Sequence, residues 1–167
     1  MTPVDKLRGV PAFAGLGESE LQSLGTAFSK VTIRAGQNLI KEGESRVEKQ
    51  GLFVLLEGRV EVYKKGRLLT EIGPGTVFGE VELLTRVVPT ATVKATEDLT
   101  LLWLSRDRFD EMIRAGNLAV FRLVYNVARV LANRLRATDE RAVALVPESK
   151  QQELGEIRGK ILSDWDG

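Results

Sequence analysis

The chain has 167 residues, of which 43% are hydrophobic and 28% are charged, and its net charge is +1. This length and composition are typical of one globular domain with a substantial core. The near-neutral charge provides no general attraction to nucleic acids or anionic membranes. Cysteine and histidine are both absent, which excludes disulfides, thiolate metal sites, and the commonest general base and metal ligand.

No targeting segment is evident at the start of the chain. The opening MTPVDKLRGVPAFAGL lacks the apolar core of a signal peptide. No apolar run approaches the roughly 20 residues that a membrane span needs. We therefore expect a cytoplasmic protein without a membrane interaction.

The first part of the chain is predicted to be helical. Across residues 1–29, Leu21, Leu24 and Phe28 follow the acidic segment GESE at helical spacing. The pattern then changes to short β-rich segments, among them LFVLLE and RVEVYK, separated by glycines.

Strand signals continue as far as Leu104. YKKGRL predicts a hairpin turn, IGPGTVFG a longer corner, and TATVKA and LTLLWL the last strands. Short, regularly spaced antiparallel strands of this kind favour a roll or sandwich. With the flanking helices, the sequence predicts an α+β fold: an antiparallel β-roll (a jelly-roll-like barrel) with N-terminal helices and a long C-terminal helix.

Two caps organise the C-terminal part. Ser105 is predicted to begin one helix and Asn117 a second, long helix that reaches about Val146, where Pro147 stops it. The polar remainder is interpreted as a mobile extension or a marginal helix. We therefore expect a domain over residues 1–146 and a polar tail over residues 147–167.

The long helix carries an apolar stripe at alternating spacings of three and four residues. A helix of about 30 residues spans roughly 45 Å, longer than one small roll can cover. A second stripe (Leu123, Val127, Val130) offers a face for packing on the roll. We therefore predict a parallel homodimer seam, with packing on its own roll as the alternative. The stripe, called the heptad face below, consists of Phe121, Val124, Ala128, Leu131, Leu135, Thr138, Ala142 and Leu145.

From LRGVPAFAGLGESEL through IRAGQNLIKEGE, LEGRVEVYKKG and IGPGTVFGEVELL to LANRLRATDER, the chain resembles the cyclic nucleotide-binding domain. The resemblance is to the catabolite-activator family and the regulatory subunits of cAMP-dependent kinase. No single segment is specific, but the ordered series is. The segment FGEVELLTRVVPTATV, residues 78–93, matches the family's phosphate-binding cassette and is called the cassette below.

The resemblance implies the ligand-binding residues. In the family, the glutamate at the position of Glu80 binds the ribose 2′-hydroxyl, and the residue at the position of Thr90 binds the cyclic phosphate. Thr138 matches a threonine that contacts the adenine base, although it could instead set the coiled-coil register. The full predicted site comprises Phe78, Gly79, Glu80, Val81, Pro89, Thr90, Ala91, Thr138 and Asp139.

The cassette departs from the family pattern in its charges. Pro89 stands where the family has an arginine that neutralises the phosphate, and Glu82 stands where the family usually has a small residue. Because proline offers neither charge nor donor, we expect cyclic-nucleotide affinity lower by on the order of a hundredfold or more. Arg86 and Lys94 are the only nearby cations expected from the sequence.

The resulting prediction is a dimeric regulatory sensor in signal transduction, with weak binding of cAMP or cGMP and no required cofactor. The alternative is a ligand-free dimerisation or protein-interaction module, in which the cassette persists only as architecture. An enzyme is not expected, because Glu80 and Glu82 would splay from one helical turn. Direct nucleic-acid binding is not expected either, because about 20 residues after Pro147 are too few for a helix-turn-helix.

Overall fold

A computed structural model gives the fold and describes residues 3–44, 50–145 and 147–163. The strands form two four-stranded antiparallel sheets, in the orders β1-β8-β3-β6 and β2-β7-β4-β5. This arrangement confirms the predicted roll. The strands are β1 (Ser29–Ile33), β2 (Asn38–Ile40), β3 (Gly51–Glu57), β4 (Val60–Lys64), β5 (Arg67–Ile72), β6 (Val77–Phe78), β7 (Thr92–Ala95) and β8 (Leu99–Ser105).

The helices flank the roll in sequence, and one short helix interrupts it between β6 and β7. None of the described helices is long and apolar enough to cross a membrane. A 3-10 turn covers Pro11–Phe13. The helices are α1 (Pro3–Leu7), α2 (Glu18–Ala27), α3 (Glu80–Thr85), α4 (Arg106–Arg114), α5 (Leu118–Ala144) and α6 (Glu148–Ser163).

The N-terminal segment is not one continuous helix, so the prediction that residues 1–29 are helical was wrong in its extent. Pro11 lacks the N–H that a helix interior needs, and Gly15 has a φ of 73°. Pro11 and Gly15 together separate α1 from α2. Leu21 and Leu24 are buried on α2 as the spacing predicted, whereas Ser29 already begins β1.

The turn and cap predictions are confirmed. Lys65 and Gly66, with φ of 50° and 74°, join β4 to β5 with the two positive φ angles of a type I′ hairpin turn. The Ser105 hydroxyl accepts from the Arg108 N–H at 3.3 Å at the start of α4. The Asn117 side chain accepts from the Ala119 N–H at 3.0 Å at the start of α5.

Strand β3 has two buried faces because the roll encloses one and helices cover the other. Phe53 and Leu55 belong to the core between the sheets. Leu52 and Val54 alternate with them and are buried on the opposite face. A small gap lined by Leu52, Leu83, Phe109, Leu123 and Val127 marks where α3, α4 and α5 meet that face.

The chain divides into two compact units, one ending at Val127 and the other beginning at Ala128. The division falls inside α5. The predicted end of the long helix at Val146 lies outside the described residues, and α5 is described to Ala144. Of the two alternatives for the tail, the structure has a helix, α6. The boundary between residues 146 and 147 stays a prediction.

Candidate functional site

Gly79 makes the tight corner between β6 and α3. Its φ is 82°, in the left-handed region that favours glycine. A Cβ at this position would lie 2.4 Å from the Gly51 carbonyl oxygen and 3.0 Å from Phe53 Cδ2. The glycine is therefore required by two constraints at once, backbone conformation and close approach to β3.

A pocket lies beside this corner, where the segment that follows β2 meets the cassette. The Gly43 N–H donates to the Pro89 carbonyl oxygen at 2.8 Å, and the Glu42 N–H donates to Thr92 Oγ1 at 3.0 Å. The pocket has a cavity volume of about 30 Å³, which is room for one or two water molecules and well below the range for small-molecule sites. Its lining residues are Leu39, Ile40, Lys41, Glu44, Gln50, Gly51, Phe53, Gly79, Glu82 and Pro89.

Gly79 and Pro89 are the two predicted site residues that line this pocket. Phe78 lies in the roll core, with its ring stacked on Phe53 at 5.2 Å between centroids. Glu80 is only 4% exposed and lines the small gap beneath α3, α4 and α5.

The other predicted residues lie elsewhere on the surface. Val81 and Thr90 are exposed, and Ala91 is half-buried. Thr138 is exposed and Asp139 half-buried, and both belong to the unit that begins at Ala128. Their roles in ligand binding stay predictions.

The charge environment differs from the sequence interpretation. Lys41 lines the pocket, so the expectation that Arg86 and Lys94 are the only nearby cations was wrong. Arg86 donates through Nη2 to Asp110 Oδ1 at 3.1 Å. Buried Arg106 donates through Nη2 to the Glu82 carbonyl oxygen at 2.5 Å, which commits part of its guanidinium to the backbone of α3.

Sequence reasoning missed Lys41, Glu44 and Gln50, which all lie between β2 and the start of β3. No ligand-binding role follows from their sequence context, and their approach to the cassette is a consequence of roll closure. Gln50 is 9% exposed, and its Oε1 is buried without a hydrogen-bond partner among the described residues. Among those residues, no three potential acidic, histidine or cysteine metal ligands cluster together.

The sequence profile of the family named "Cyclic nucleotide-binding domain" matches residues 30–116, which is more than half of the chain and includes the cassette and all of the roll except Ser29. The chain belongs to the cyclic nucleotide-binding domain family. This is a family of regulatory domains that bind cyclic nucleotides. A comparison with curated proteins found no match.

The chain is similar to solved structures of bacterial and kinase-associated proteins. One of them is the catabolite activator protein of Thermus thermophilus, with 30% identity and a TM-score of 0.68 over 81% of this chain. This chain spans 62% of that protein. A putative cyclic nucleotide-binding protein from Geobacter metallireducens gives 26% identity and a TM-score of 0.67, over 81% of this chain and 99% of that one.

A third similar structure is a variant of the regulatory subunit of a cAMP-independent protein kinase A from Trypanosoma brucei. The identity is 25% and the TM-score 0.65, over 77% of this chain and 46% of that one. The variant carries glutamate-to-alanine, threonine-to-arginine and valine-to-alanine substitutions, and it was solved with cAMP bound in its A site.

Proposed function

We propose that this protein is a non-catalytic, homodimeric regulatory sensor whose cassette pocket binds cyclic nucleotides weakly. The observation that carries the proposal is Pro89, which is buried and lines the pocket at the position the family gives to an arginine. Hydrogen bonds to a charged group contribute about 1.5–3 kcal/mol each. A cyclic phosphate here therefore lacks its principal countercharge.

Neither Arg86 nor Lys41 supplies a bidentate substitute, and buried Arg106 already donates to the Glu82 carbonyl oxygen. Arg86 is two-thirds exposed and paired with Asp110. Lys41 is a single ammonium, a point charge without the planar fork that matches a phosphate. We therefore propose weak binding of cAMP or cGMP, with neither required for folding.

The heptad face supports the dimer part of the proposal. None of its eight residues is buried: Val124 and Leu131 are half-buried, and the other six are exposed. The second stripe behaves differently, with Leu123 and Val127 buried. An apolar stripe left accessible at heptad spacing is what a coiled-coil partner needs.

The pocket can be tested with Pro89→Arg. We expect this substitution to raise the affinity for cAMP or cGMP by about tenfold to a hundredfold, because it supplies a charged donor pair. The Trypanosoma brucei variant, which has an introduced arginine and bound cAMP, supports the same expectation. Titration calorimetry measures the gain.

Val88→Arg is the matched control, because Val88 is 48% exposed and does not line the pocket. It adds the same charge one residue away, so it should gain little affinity. Equal gains in both variants would show a general charge effect and contradict the pocket assignment. No gain in Pro89→Arg, and no stabilisation of the wild type by millimolar nucleotide, would favour the ligand-free interaction module.

A further inference from the structure

The cassette pocket is closed in this structure. Its volume is about 30 Å³, whereas pockets that bind small molecules have volumes of about 300–1,000 Å³. A cyclic nucleotide can therefore enter only after part of the lining has moved. The residues that hold the lining together determine how readily the pocket opens.

Arg106 connects two lining residues that belong to separate segments of the chain. Its backbone N–H donates to the Gln50 carbonyl oxygen at 3.0 Å, just before β3. Its side chain donates through Nη2 to the Glu82 carbonyl oxygen at 2.5 Å, in the first turn of α3. Gln50 and Glu82 both line the pocket, whereas Arg106 does not. Arg106 therefore fixes the spacing of these two segments from behind the pocket.

The burial of Arg106 makes this connection costly to break. The residue is 9% exposed, and its Nε is buried without a hydrogen-bond partner among the described residues. A buried donor without a partner costs free energy, and the cost is larger when the donor is charged. If Glu82 moved away, Nη2 would lose its acceptor as well. The buried guanidinium therefore opposes a movement that opens the pocket.

Helix α3 is held at both ends. Its first end is fixed because Gly79 lies too close to β3 to admit a Cβ. At the other end, Arg86 donates through Nη2 to Asp110 Oδ1 at 3.1 Å. The Arg86 backbone N–H donates to the Glu82 carbonyl oxygen at 3.0 Å. An opening movement therefore has to involve the part of α3 from Glu82 onward, and this part is the one that Arg86 holds.

Arg86 has a backbone conformation that the surrounding contacts must maintain. Its φ is 60°, in the left-handed region, which is unfavourable for a residue that has a Cβ. Strained residues of this kind persist where neighbouring contacts hold them, and they are common in segments that switch. Asp110 belongs to α4, as Arg106 does. Both side-chain contacts described for this part of α3 therefore come from α4.

We propose that α4 is a clamp on the cassette, with Arg106 as its main positioning residue and the Arg86–Asp110 pair as a weaker second contact. While both contacts are made, the pocket excludes cyclic nucleotides, and the state that binds them is a minor one. Weak binding then has a second cause besides Pro89, because the apparent affinity falls with the fraction of molecules that can bind. This inference rests on the proposed function, since it concerns access to the same pocket.

Arg106→Met tests the main contact of the clamp. It keeps a long side chain and removes every donor, and the Glu82 carbonyl oxygen keeps the Arg86 N–H as a partner. We expect the affinity for cAMP and cGMP to rise about tenfold, because a hydrogen bond from a charged donor no longer favours the closed state. Titration calorimetry on the full chain measures the gain. Arg106→Lys keeps a charged donor and should bind as weakly as the wild type.

The sign of the change separates the clamp from two other roles of Arg106. Lower stability with unchanged affinity would mean that the residue is purely structural. Weaker binding in Arg106→Met would mean that the guanidinium attracts the phosphate. Either result overturns the inference.

Asp110→Asn tests the second contact without changing a buried residue. Because exposed ion pairs contribute little and the Arg86 side chain is 66% exposed, we expect affinity to rise only about twofold to threefold. Glu111→Gln is the matched control, since it weakens the Arg108–Glu111 pair, at 3.0 Å within α4 itself. It should leave affinity unchanged, and equal gains in the two variants would overturn the second contact.

Amide hydrogen exchange tests the clamp without a ligand. The amides of residues 83–85 should exchange about tenfold faster in Arg106→Met, about twofold to threefold faster in Asp110→Asn, and at the wild-type rate in Glu111→Gln. Unchanged exchange in both of the first two variants overturns the clamp. Thermal unfolding checks that each variant folds, and Asp110→Asn keeps the test decisive if Arg106→Met does not.

The outcomes distinguish this inference from the proposed function. If cyclic nucleotides bind Pro89→Arg more tightly, but Arg106→Met and Asp110→Asn bind them no better than the wild type, the clamp fails and the sensor stands. If no cyclic nucleotide binds the wild type, Pro89→Arg or Arg106→Met, the proposed function fails, and with it the role of the clamp in ligand access.

Discussion

Helix α5 shows two environments along one continuous sequence. Up to Val127 it has buried residues, including Leu123 and Asn126. The Asn126 side-chain amide donates to the carbonyl oxygens of Ala12 at 3.1 Å and Ala14 at 2.9 Å. From Ala128 onward, no side chain that the structure describes is buried. One half of the helix completes a core, and the other half leaves its apolar residues accessible.

This difference indicates where each half obtains its stability. The first half is stabilised by its own chain, because burial and hydrogen bonds are already present there. The second unit has apolar side chains that only further contacts can cover. Those more than half exposed are Leu135, Leu145, Ile157, Ile161 and Leu162.

A matched pair of truncations within α5 should show the largest difference. Leu123 is 1% exposed and Leu135 is 64% exposed. We expect Leu123→Ala to lower the free energy of unfolding by about 3 kcal/mol and Tm by about 6–12 °C, because it leaves a cavity. Leu135→Ala should change the stability of the monomer by less than about 0.5 kcal/mol. Urea denaturation at low protein concentration measures both, and equal losses would contradict the division of α5.

The second largest effect concerns the proposed dimer. Leu131 is a half-buried residue of the heptad face, and Leu131→Lys would place a charge in the seam. We expect the dimer to dissociate about a hundredfold more readily, with little change in the monomer, whose surface can accommodate a lysine. Light scattering across a concentration series measures the change. Arg129→Lys, off the heptad face, is the control, and a Leu131→Lys dimer of unchanged affinity would refute the seam.

Local features were predictable from the sequence because their causes are local. The hairpin at Lys65 and Gly66 follows from turn chemistry, and the caps at Ser105 and Asn117 follow from side chains that accept backbone N–H groups. The pattern of short strands indicated a roll or sandwich, and the family resemblance supplied the cassette. The burial of Leu123 and Val127 followed from helical periodicity.

The pocket was less predictable because distant segments form it. Gln50 and Lys41 are placed beside Pro89 by pairing of the chain after β2 with the cassette, which no local pattern encodes.

Helix α6 contains Gly155 and Gly159 within its bounds, and glycine disfavours helix by about 1 kcal/mol. These glycines are the reason why the sequence predicted either a mobile extension or a marginal helix for the tail, of which the structure has the helix.

Glycine-to-alanine substitutions should have opposite signs in the two units. Gly79→Ala forces a positive φ on alanine and a clash with the Gly51 carbonyl, so we expect a loss of about 1–3 kcal/mol. Gly155 has no atom within 4 Å of where its Cβ would be, so Gly155→Ala should stabilise α6 by up to about 1 kcal/mol. Urea denaturation measures the first and amide hydrogen exchange in α6 the second. A stabilising Gly79→Ala would contradict the corner geometry.

The smallest expected effect concerns how α6 is held within its unit. Arg158 lies 3.7 Å from Asp139, with both side chains substantially exposed, and exposed pairs contribute only about 0.2–1 kcal/mol. Arg158→Ala should therefore increase hydrogen exchange in α6 no more than about fivefold, and less at high salt because ions screen the pair. Arg136→Ala removes a comparable pair, with Glu140 at 3.8 Å inside α5, and should leave exchange in α6 unchanged. A tenfold or larger increase from Arg158→Ala would mean that the pair organises the unit, and the contrast with the well-packed core before Val127 would need revision.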